Sequence, residues 1–251
     1  MYKKLFLIIF YHFAINVLAQ DQTLGSPEWL IDKFFKQSTF SDKANYYTGE
    51  MLNDIDNPSL GEELSGRGII QFHKIKDAKD ENVFTVEVSV DDKVIDFYYF
   101  LKLQTEGWKI GAVRRFLLPP FIFTARDSLS NLNSLSADDS TFYLSLKLFT
   151  MTDSELKNYL NAHINELQEL VSYFNQEQSD KIKKELASLG CNAIFKDRNY
   201  PGCLFIQILA FEKMEAGFLY SSESSKLPEV SPNHFICIEE VVPGWFIYRI
   251  I

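Results

Sequence analysis

Three side chains in the first half of the chain could contact a bound small molecule: His73, Tyr99 and Arg114. His73 lies in a predicted strand, and an imidazole that is partly shielded from water can take up or release a proton near neutral pH. Tyr99 falls on the inward side of another predicted strand, where its hydroxyl could face a pocket. Arg114 continues the apolar side of the strand that begins at Gly107, where an unpaired charge would be costly to bury. We therefore predict His73, Tyr99 and Arg114 as the ligand-binding residues.

Arg114 leaves two alternatives open. Its guanidinium either lines a water-filled pocket and binds an anionic group, or the strand has already ended and the side chain reaches into solvent. The adjacent Arg115 favours the second alternative. Two other histidines have simpler interpretations, because His163 falls on the apolar side of a predicted helix and His234 follows a Pro-Asn turn.

Several motifs that carry chemistry are missing from the sequence. There is no Gly-x-Ser-x-Gly nucleophile elbow, no complete glycine loop for phosphate, and no Cys-x-x-Cys or Cys/His spacing of a metal site. The acidic run over 54–57 lacks the glycine and the distal glutamate of a calcium loop. We therefore predict no catalytic residue, no metal site and no cofactor.

The elements that must position these residues follow from the hydrophobic pattern. In the first half, Ser26 and Pro27 predict the start of a helix, and Ser41 can cap a second one that carries Tyr47. From Ile69 onward the period becomes twofold, which predicts four antiparallel strands joined by tight turns.

The second half begins with an apolar segment over 142–151 that we predict as a helix. A capping box at Thr152 and Glu155 then precedes an apolar stripe that predicts one long helix through Phe174. A shorter helix is predicted over 179–189, and short strands over 204–211, 216–220, 235–241 and 245–250. The predicted fold class is α+β, with N-terminal helices packed on a bent antiparallel sheet, followed by a small helical and antiparallel-sheet domain.

The chain divides at a Ser/Asn-rich segment. Residues 126–140 predict a linker, between an α+β domain over 20–125 and a C-terminal α+β domain over 141–251. Residues 1–19 have the basic start, apolar run and small residue before the cleavage point that are typical of a secretory signal peptide. The run is short for a bilayer span. We therefore expect an exported protein, periplasmic or extracellular, with no stable membrane anchor.

Charge and cysteine content restrict the partners and the redox chemistry. The formal net charge is −9, and loss of the leader would remove two lysines, so nucleic acid is an unfavourable partner. Cys191 and Cys203 flank a short loop and could form a disulfide, which would leave Cys237 unpaired. Alternatively, all three are buried thiols that act as small apolar residues. The oligomeric state stays open.

Part of the chain resembles a known family. Two amphipathic N-terminal helices, followed by long hairpin strands that end in Gly107-Trp108-Lys109-Ile110-Gly111, resemble the nuclear transport factor two-like, cystatin-like cone superfamily over residues 26–116. The resemblance implies a sheet bent around its helices into a cone. The second half resembles uncharacterised exported bacterial proteins in its strands over 217–220 and 244–248, a resemblance that implies no activity.

Two functional hypotheses follow. The first is an exported, non-catalytic protein that binds a small apolar molecule or an envelope protein partner, because the aromatic-rich first half lacks a catalytic constellation. The second, implied by the family resemblance, is a cofactor-free isomerase, dehydratase or hydrolase. In that enzyme His73 would act as the base, and Tyr99 and Arg114 would stabilise an oxyanion in the same hydrophobic pocket.

Overall fold

Two antiparallel sheets and their covering helices make up the part of the chain that the computed structural model describes, residues 23–222 and 226–251. The predicted leader over 1–19 lies outside the described residues. The predicted α+β class is confirmed: N-terminal helices pack on the first sheet, and the second half contains helices followed by a second sheet. No helix within the described ranges is long and apolar enough to cross a membrane.

The elements follow one another in the order helix, first sheet, helices, second sheet. The helices are α1 (Pro27–Phe35), α2 (Leu60–Glu63), α3 (Pro120–Ser130), α4 (Ala137–Phe149), α5 (Asp153–Ala162), α6 (Ile164–Asn175) and α7 (Ser179–Ser188). The strands of the first sheet are β1 (Ile69–Asp77), β2 (Glu81–Val90), β3 (Lys93–Gln104) and β4 (Gly107–Arg114). Those of the second sheet are β5 (Ala193–Phe195), β6 (Leu204–Phe211), β7 (Met214–Tyr220), β8 (Phe235–Val242) and β9 (Trp245–Ile250).

Local sequence explains the start of α1. Ser26 precedes the helix in an extended conformation, and its side-chain oxygen accepts a hydrogen bond from the Trp29 amide at 3.2 Å. This bond satisfies one of the amides that have no partner at a helix start. Pro27 occupies the first turn, where its missing N–H is not needed. The inner side of α1, including Leu30 and Phe35, is buried against the first sheet.

The second helix predicted in the first half is wrong. The structure has two short 3-10 helices there, Lys43–Asn45 and Gly49–Asp54. Between them the backbone follows the edge of β4: the Ile110 amide donates to the Tyr46 carbonyl at 2.7 Å, and the Thr48 amide donates to the Ile110 carbonyl at 2.9 Å. These bonds engage backbone groups that a continuous helix would have to pair internally.

The first sheet has the strand order β1-β2-β3-β4, and all neighbours are antiparallel. Both of its faces are covered. On one face, Phe84, Tyr99 and Ile110 pack with α1. On the other face, Tyr98 and Phe100 belong to a core cluster formed mainly by the second half of the chain. Along β3, the residues that alternate with the predicted inward ones are therefore buried as well. This is expected for a sheet that is covered on both faces.

The serine-rich segment predicted as a linker is largely helical. Residues 126–130 end α3, residues 137–140 begin α4, and 131–136 connect them. Ser136, one of the serines that indicated a linker, caps α4 by accepting a hydrogen bond from the Asp139 amide at 3.1 Å. One core cluster contains residues from both sides of this segment.

The long helix predicted from Thr152 to Phe174 is two helices that meet at His163. This residue has φ −113° and ψ 23°, outside helical values. Helix α5 packs on β8 and β9, whereas α6 packs on α7, so the two segments follow different surfaces. His163 is consequently a partly exposed junction residue and not the core histidine expected from the apolar stripe.

The second sheet has the order β5-β6-β7-β9-β8, and all neighbours are antiparallel. The four predicted strands of the second half are present, and β5 is an addition to them. At Gly217 of β7, atoms of the neighbouring strands β6 and β9 lie too close to the backbone to leave room for a side chain. A Cβ atom added there would lie 2.2 Å from the Ile206 carbonyl oxygen and 2.9 Å from the Tyr248 hydroxyl oxygen.

We expect Gly217→Ala to lower the free energy of unfolding by about 1–3 kcal/mol, because the rigid backbone on one side of the added methyl must move. The matched control is Gly111→Ala in β4, where the nearest atom to an added Cβ is the Phe100 carbonyl oxygen at 3.6 Å. That contact is an ordinary one, so the control should change stability by less than about 1 kcal/mol. Urea unfolding of both variants measures this, and equal midpoints would contradict the packing argument.

Candidate functional site

The structure does not bring the three predicted ligand-binding residues into one cavity. His73 of β1 and Arg114 of β4 lie in one row across the first sheet, through the cross-strand partners Thr85 and Tyr98. Three strand intervals separate the two ends of this row, which is roughly 14 Å. Tyr99 faces the opposite side of the sheet, where it is fully buried and its hydroxyl donates to the Leu30 carbonyl at 3.3 Å.

His73 joins the first sheet to the second half. Its Nε2 lies 2.8 Å from Glu239 Oε1, and the same nitrogen lies 2.7 Å from Thr85 Oγ1. Glu239 also pairs with Lys157 Nζ at 2.6 Å. Burial raises the pKa of Glu239, but hydrogen bonds from His73 and Lys157 outweigh it and hold that pKa below its usual value. His73 is thus one member of a charged contact between β1, α5 and β8.

Arg114 follows neither of the two alternatives that the sequence left open. Both of its terminal nitrogens bind the carboxylate of Glu50, with Nη2 2.7 Å from Oε2, and its Nε donates to the Pro232 carbonyl at 2.8 Å. The hydrogen bond from Arg114 lowers the pKa of Glu50. Arg114 therefore connects the sheet to a loop of the second half and has its polar groups engaged by protein.

A buried ion pair lies under this row of residues. Arg249 is 1% exposed and Asp153 is 3% exposed, and Arg249 Nε lies 3.1 Å from Asp153 Oδ1. The fully buried Tyr98 donates to Asp153 Oδ2 at 2.9 Å. Arg249 also donates to the carbonyls of Phe149 at 3.3 Å and Met151 at 2.7 Å. Because every one of these charges has partners, the group fits a structural role.

Sequence reasoning missed this ion pair, although two signals were present. Arg249 is a charged residue in an otherwise apolar and aromatic strand, over 245–250. Asp153 follows Thr152, the residue that caps α5. A strand arginine and a carboxylate at a helix start are each common alone, and only the fold places them in contact.

Asp96 is a carboxyl group of this region whose pKa departs strongly from its ordinary value. Its Oδ2 accepts a hydrogen bond from the Asp153 amide at 2.8 Å. Burial, and then the negative charge of Asp153, raise the pKa of Asp96 to about 7. Asp96 lines both a cleft of about 780 Å³ and a polar cavity of about 150 Å³.

The polar cavity contains a serine and a lysine one helical turn apart. Ser154 and Lys157 have the Ser-x-x-Lys spacing found in some acyl-transfer enzymes, a signal that would have directed attention to this cavity. The two side chains are engaged elsewhere: Ser154 donates to Glu87 at 2.9 Å, and the Lys157 ammonium pairs with Glu239. Each side chain is directed to a carboxylate and not to the other, so this geometry does not activate the serine.

A possible metal-ligand set lies beside the ion pair. Oxygen and sulfur atoms of Asp153, Cys237 and Glu239 all lie within 4.8 Å of one another. Both carboxylates are already bound by cations, Asp153 by Arg249 and Glu239 by Lys157. A metal ion would have to displace these cations, so the donor set does not favour one.

The predicted Cys191–Cys203 disulfide is not formed in the structure, and the alternative of three buried thiols matches it. The two sulfurs contact different backbone groups: Cys191 donates to the Leu189 carbonyl at 3.5 Å, and Cys203 donates to the Lys226 carbonyl at 3.4 Å. Burial raises the pKa of the Cys191 thiol, which keeps it protonated and unreactive.

Two cavities meet at the turn between β2 and β3. The first is the cleft of about 780 Å³, which lies on the face that contacts the second half and whose lining includes Tyr98, Phe116, Phe123 and Arg126. The second, called the apolar pocket below, has about 380 Å³. Its apolar lining consists of Leu60, Leu64, Val88, Val90, Ile95 and Phe97. Arg115 lines both cavities.

No family model, curated protein or solved structure matches this chain. The resemblance of residues 26–116 to the nuclear transport factor two-like superfamily therefore stays a prediction. Function has to be inferred from the cavities and from the groups that line them.

We expect Arg249→Met to lower the free energy of unfolding by about 3–5 kcal/mol, because it leaves the carboxylate of Asp153 buried without its cation. The control is Arg198→Met, at an exposed position, which should change stability by no more than about 0.5 kcal/mol. Chemical denaturation compares the two. A loss below about 1 kcal/mol for Arg249→Met would show that the ion pair does not hold the fold together.

Asp96 makes stability depend on pH. The native protein retains a proton on this carboxyl up to a pKa of about 7, whereas the unfolded chain releases it near the ordinary value of 3.8. The stabilisation from the bound proton is present at low pH and is lost as the pH rises through about 7. Asp96→Asn keeps an oxygen for the Asp153 amide but cannot ionise. We expect this variant to be more stable than the parent at pH 8, with a smaller difference at pH 5.

Urea unfolding at pH 5 and pH 8 measures this difference, with Asp56→Asn as a control at an exposed aspartate. The control should shift stability equally at both values. If Asp96→Asn behaved like the control, the proton on Asp96 would have no part in stability.

Proposed function

We propose that this protein is an exported, non-catalytic protein that binds a small apolar ligand, and that the apolar pocket is the binding site. The observation that carries the proposal is the lining of this pocket by six apolar side chains on α2, β2 and β3. Its volume of about 380 Å³ is within the range of small-molecule sites.

The wall formed by α2 is held in place by charged contacts. Ser59 caps the helix together with Glu62, and Glu62 accepts a hydrogen bond from the Phe40 amide at 2.8 Å and pairs with Lys43 at 2.6 Å. Burial raises the pKa of Glu62, but these hydrogen bonds outweigh it and lower the pKa to about 2. A preformed wall of this kind favours ligand binding because less order has to be gained on binding.

The lining of the apolar pocket favours binding over catalysis. The described residues that line it include no histidine, cysteine, serine or tyrosine. Asp91, Asp92 and Lys93, the lining groups that could act as bases or nucleophiles, are exposed residues at the β2–β3 turn. The competing hypothesis of a cofactor-free enzyme needs His73, Tyr99 and Arg114 in one pocket. The sheet separates Tyr99 from the other two, so the geometry gives that hypothesis no support.

A specific observation favours a protein partner as a second function. Among the described residues, half of the large apolar side chains that are exposed fall within 117–142: Leu117, Phe121, Phe123, Leu132 and Phe142. Clustered exposed apolar groups are typical of interaction surfaces. These residues belong to α3, α4 and the segments beside them, and none of the five lines the apolar pocket, so the two functions are not exclusive.

The test of the pocket uses N-phenyl-1-naphthylamine, a neutral dye that fluoresces in apolar surroundings. We expect saturable binding that Val90→Trp weakens at least tenfold, because the larger side chain fills part of the pocket that Val90 lines. Leu103→Trp, at an exposed position of β3 outside this pocket, is the matched control and should leave the affinity unchanged.

Two results would contradict the proposal. One is the absence of saturable dye binding, and the other is binding of the dye by Val90→Trp as tight as by the parent. Native mass spectrometry of the purified protein then separates the alternatives, since a second protein mass would favour the exposed surface over 117–142 as the functional feature.

A further inference from the structure

Arg115 occupies the boundary between the apolar pocket and the cleft. It lines both cavities, and its guanidinium carbon lies 5.3 Å from the centre of the Phe97 ring. Phe97 is part of the apolar wall and is 7% exposed. The cation is therefore held against the wall of the apolar pocket by its own aromatic contact.

Arg115 differs from other arginines near the cleft in having no carboxylate. Arg114 binds Glu50, and Arg126 lies 2.8 Å from Asp127. Arg249 binds Asp153. Within residues 23–222 and 226–251, Arg115 forms no ion pair, and its contact is with an aromatic ring. Its guanidinium donors remain available, and a carboxylate is the partner whose shape matches them.

The remaining charges at this boundary belong to the β2–β3 turn. Asp91 and Asp92 are exposed there, followed by the exposed Lys93. These aspartates would attract a cationic group, whereas Arg115 and Lys93 would attract an anionic one. All four charged residues line the apolar pocket, and Arg115 is exposed like the others. Arg115 decides between the two signs of charge because its cation contacts the apolar wall at Phe97, whereas the aspartates belong to the turn.

We infer that the ligand is a monocarboxylate with an apolar chain, and that the chain occupies the apolar pocket while the carboxylate binds Arg115. The inference rests on the proposed function and adds the class of ligand to it. The head group lies where the pocket opens toward the cleft, so it stays hydrated on one side. The ion pair therefore does not require complete removal of the carboxylate from water.

The experiment measures displacement of N-phenyl-1-naphthylamine by three compounds with the same chain: decanoate, decanol and decylamine, each below its aggregation concentration. We expect decanoate to bind about tenfold more tightly than decanol, as for a hydrogen-bonded contact with a charged group. Decylamine should bind most weakly. Octanoate should bind more weakly than decanoate, and dodecanoate more tightly. The affinity should change about fourfold per methylene group while the chain still fits.

Arg115→Gln provides the decisive variant. It should abolish the preference for decanoate over decanol and leave the affinity for decanol unchanged, because the apolar wall is intact. Arg198→Gln, at an exposed position that does not line the pocket, is the control and should retain the preference. Thermal unfolding of both variants establishes that each is folded.

The outcomes separate the two proposals. Absence of dye binding overturns the proposed function itself. Displacement by all three compounds with equal affinity leaves ligand binding in place and overturns the inference about the carboxylate. Tighter binding of decylamine, or an unchanged preference for decanoate in Arg115→Gln, also overturns that inference.

Discussion

The arrangement of the chain depends on one buried ion pair, between Arg249 and Asp153. Neither charge can be hydrated at that depth, so each requires the other and the hydrogen bonds around it. Arg249 belongs to the last strand, Asp153 begins α5, and Tyr98, which donates to Asp153, lies in the first sheet. Three segments that are distant in sequence are therefore fixed at one point. The second half is positioned on the first sheet by this contact and by the apolar core around it.

This constraint explains why both faces of the first sheet are buried. One face packs on α1, and the other packs on the second half. Polar residues on the second face form contacts across the junction, and the His73 side chain does so while 47% exposed. His73 contacts Glu239 of β8, and Arg114 contacts the Pro232 carbonyl. The residues that first suggested a binding site are thus the ones that attach the two halves of the chain to each other.

The two cavities at the β2–β3 turn differ in chemistry because different elements cover them. The apolar pocket lies between α2 and the sheet, where the side chains of β2 and β3 are aliphatic or aromatic. The cleft lies on the other face, where the segment between α4 and α5 contributes the hydroxyls of Thr150 and Thr152. Arg126 of α3 and Arg249 of β9 contribute guanidinium groups there. Arg115 lines both environments, and within the described residues it forms no ion pair. A ligand with one apolar and one charged end matches that difference.

The sequence by itself determined the local elements: the start of α1 at Ser26 and Pro27, the capping box before α5, the first sheet and most of the second, and the α+β class. These depend on capping groups and on hydrophobic period, which are local properties. Only the tertiary structure decided that β4 interrupts the second predicted helix, that the long helix ends at His163, and that Tyr99 faces away from His73 and Arg114. It also decided which charges have partners. Arg114 and Arg115 are adjacent and identical in type, and one of them binds Glu50 because the fold brings a carboxylate to it from 64 residues away. Contacts of that range are set by packing and leave no trace in the local pattern of the sequence.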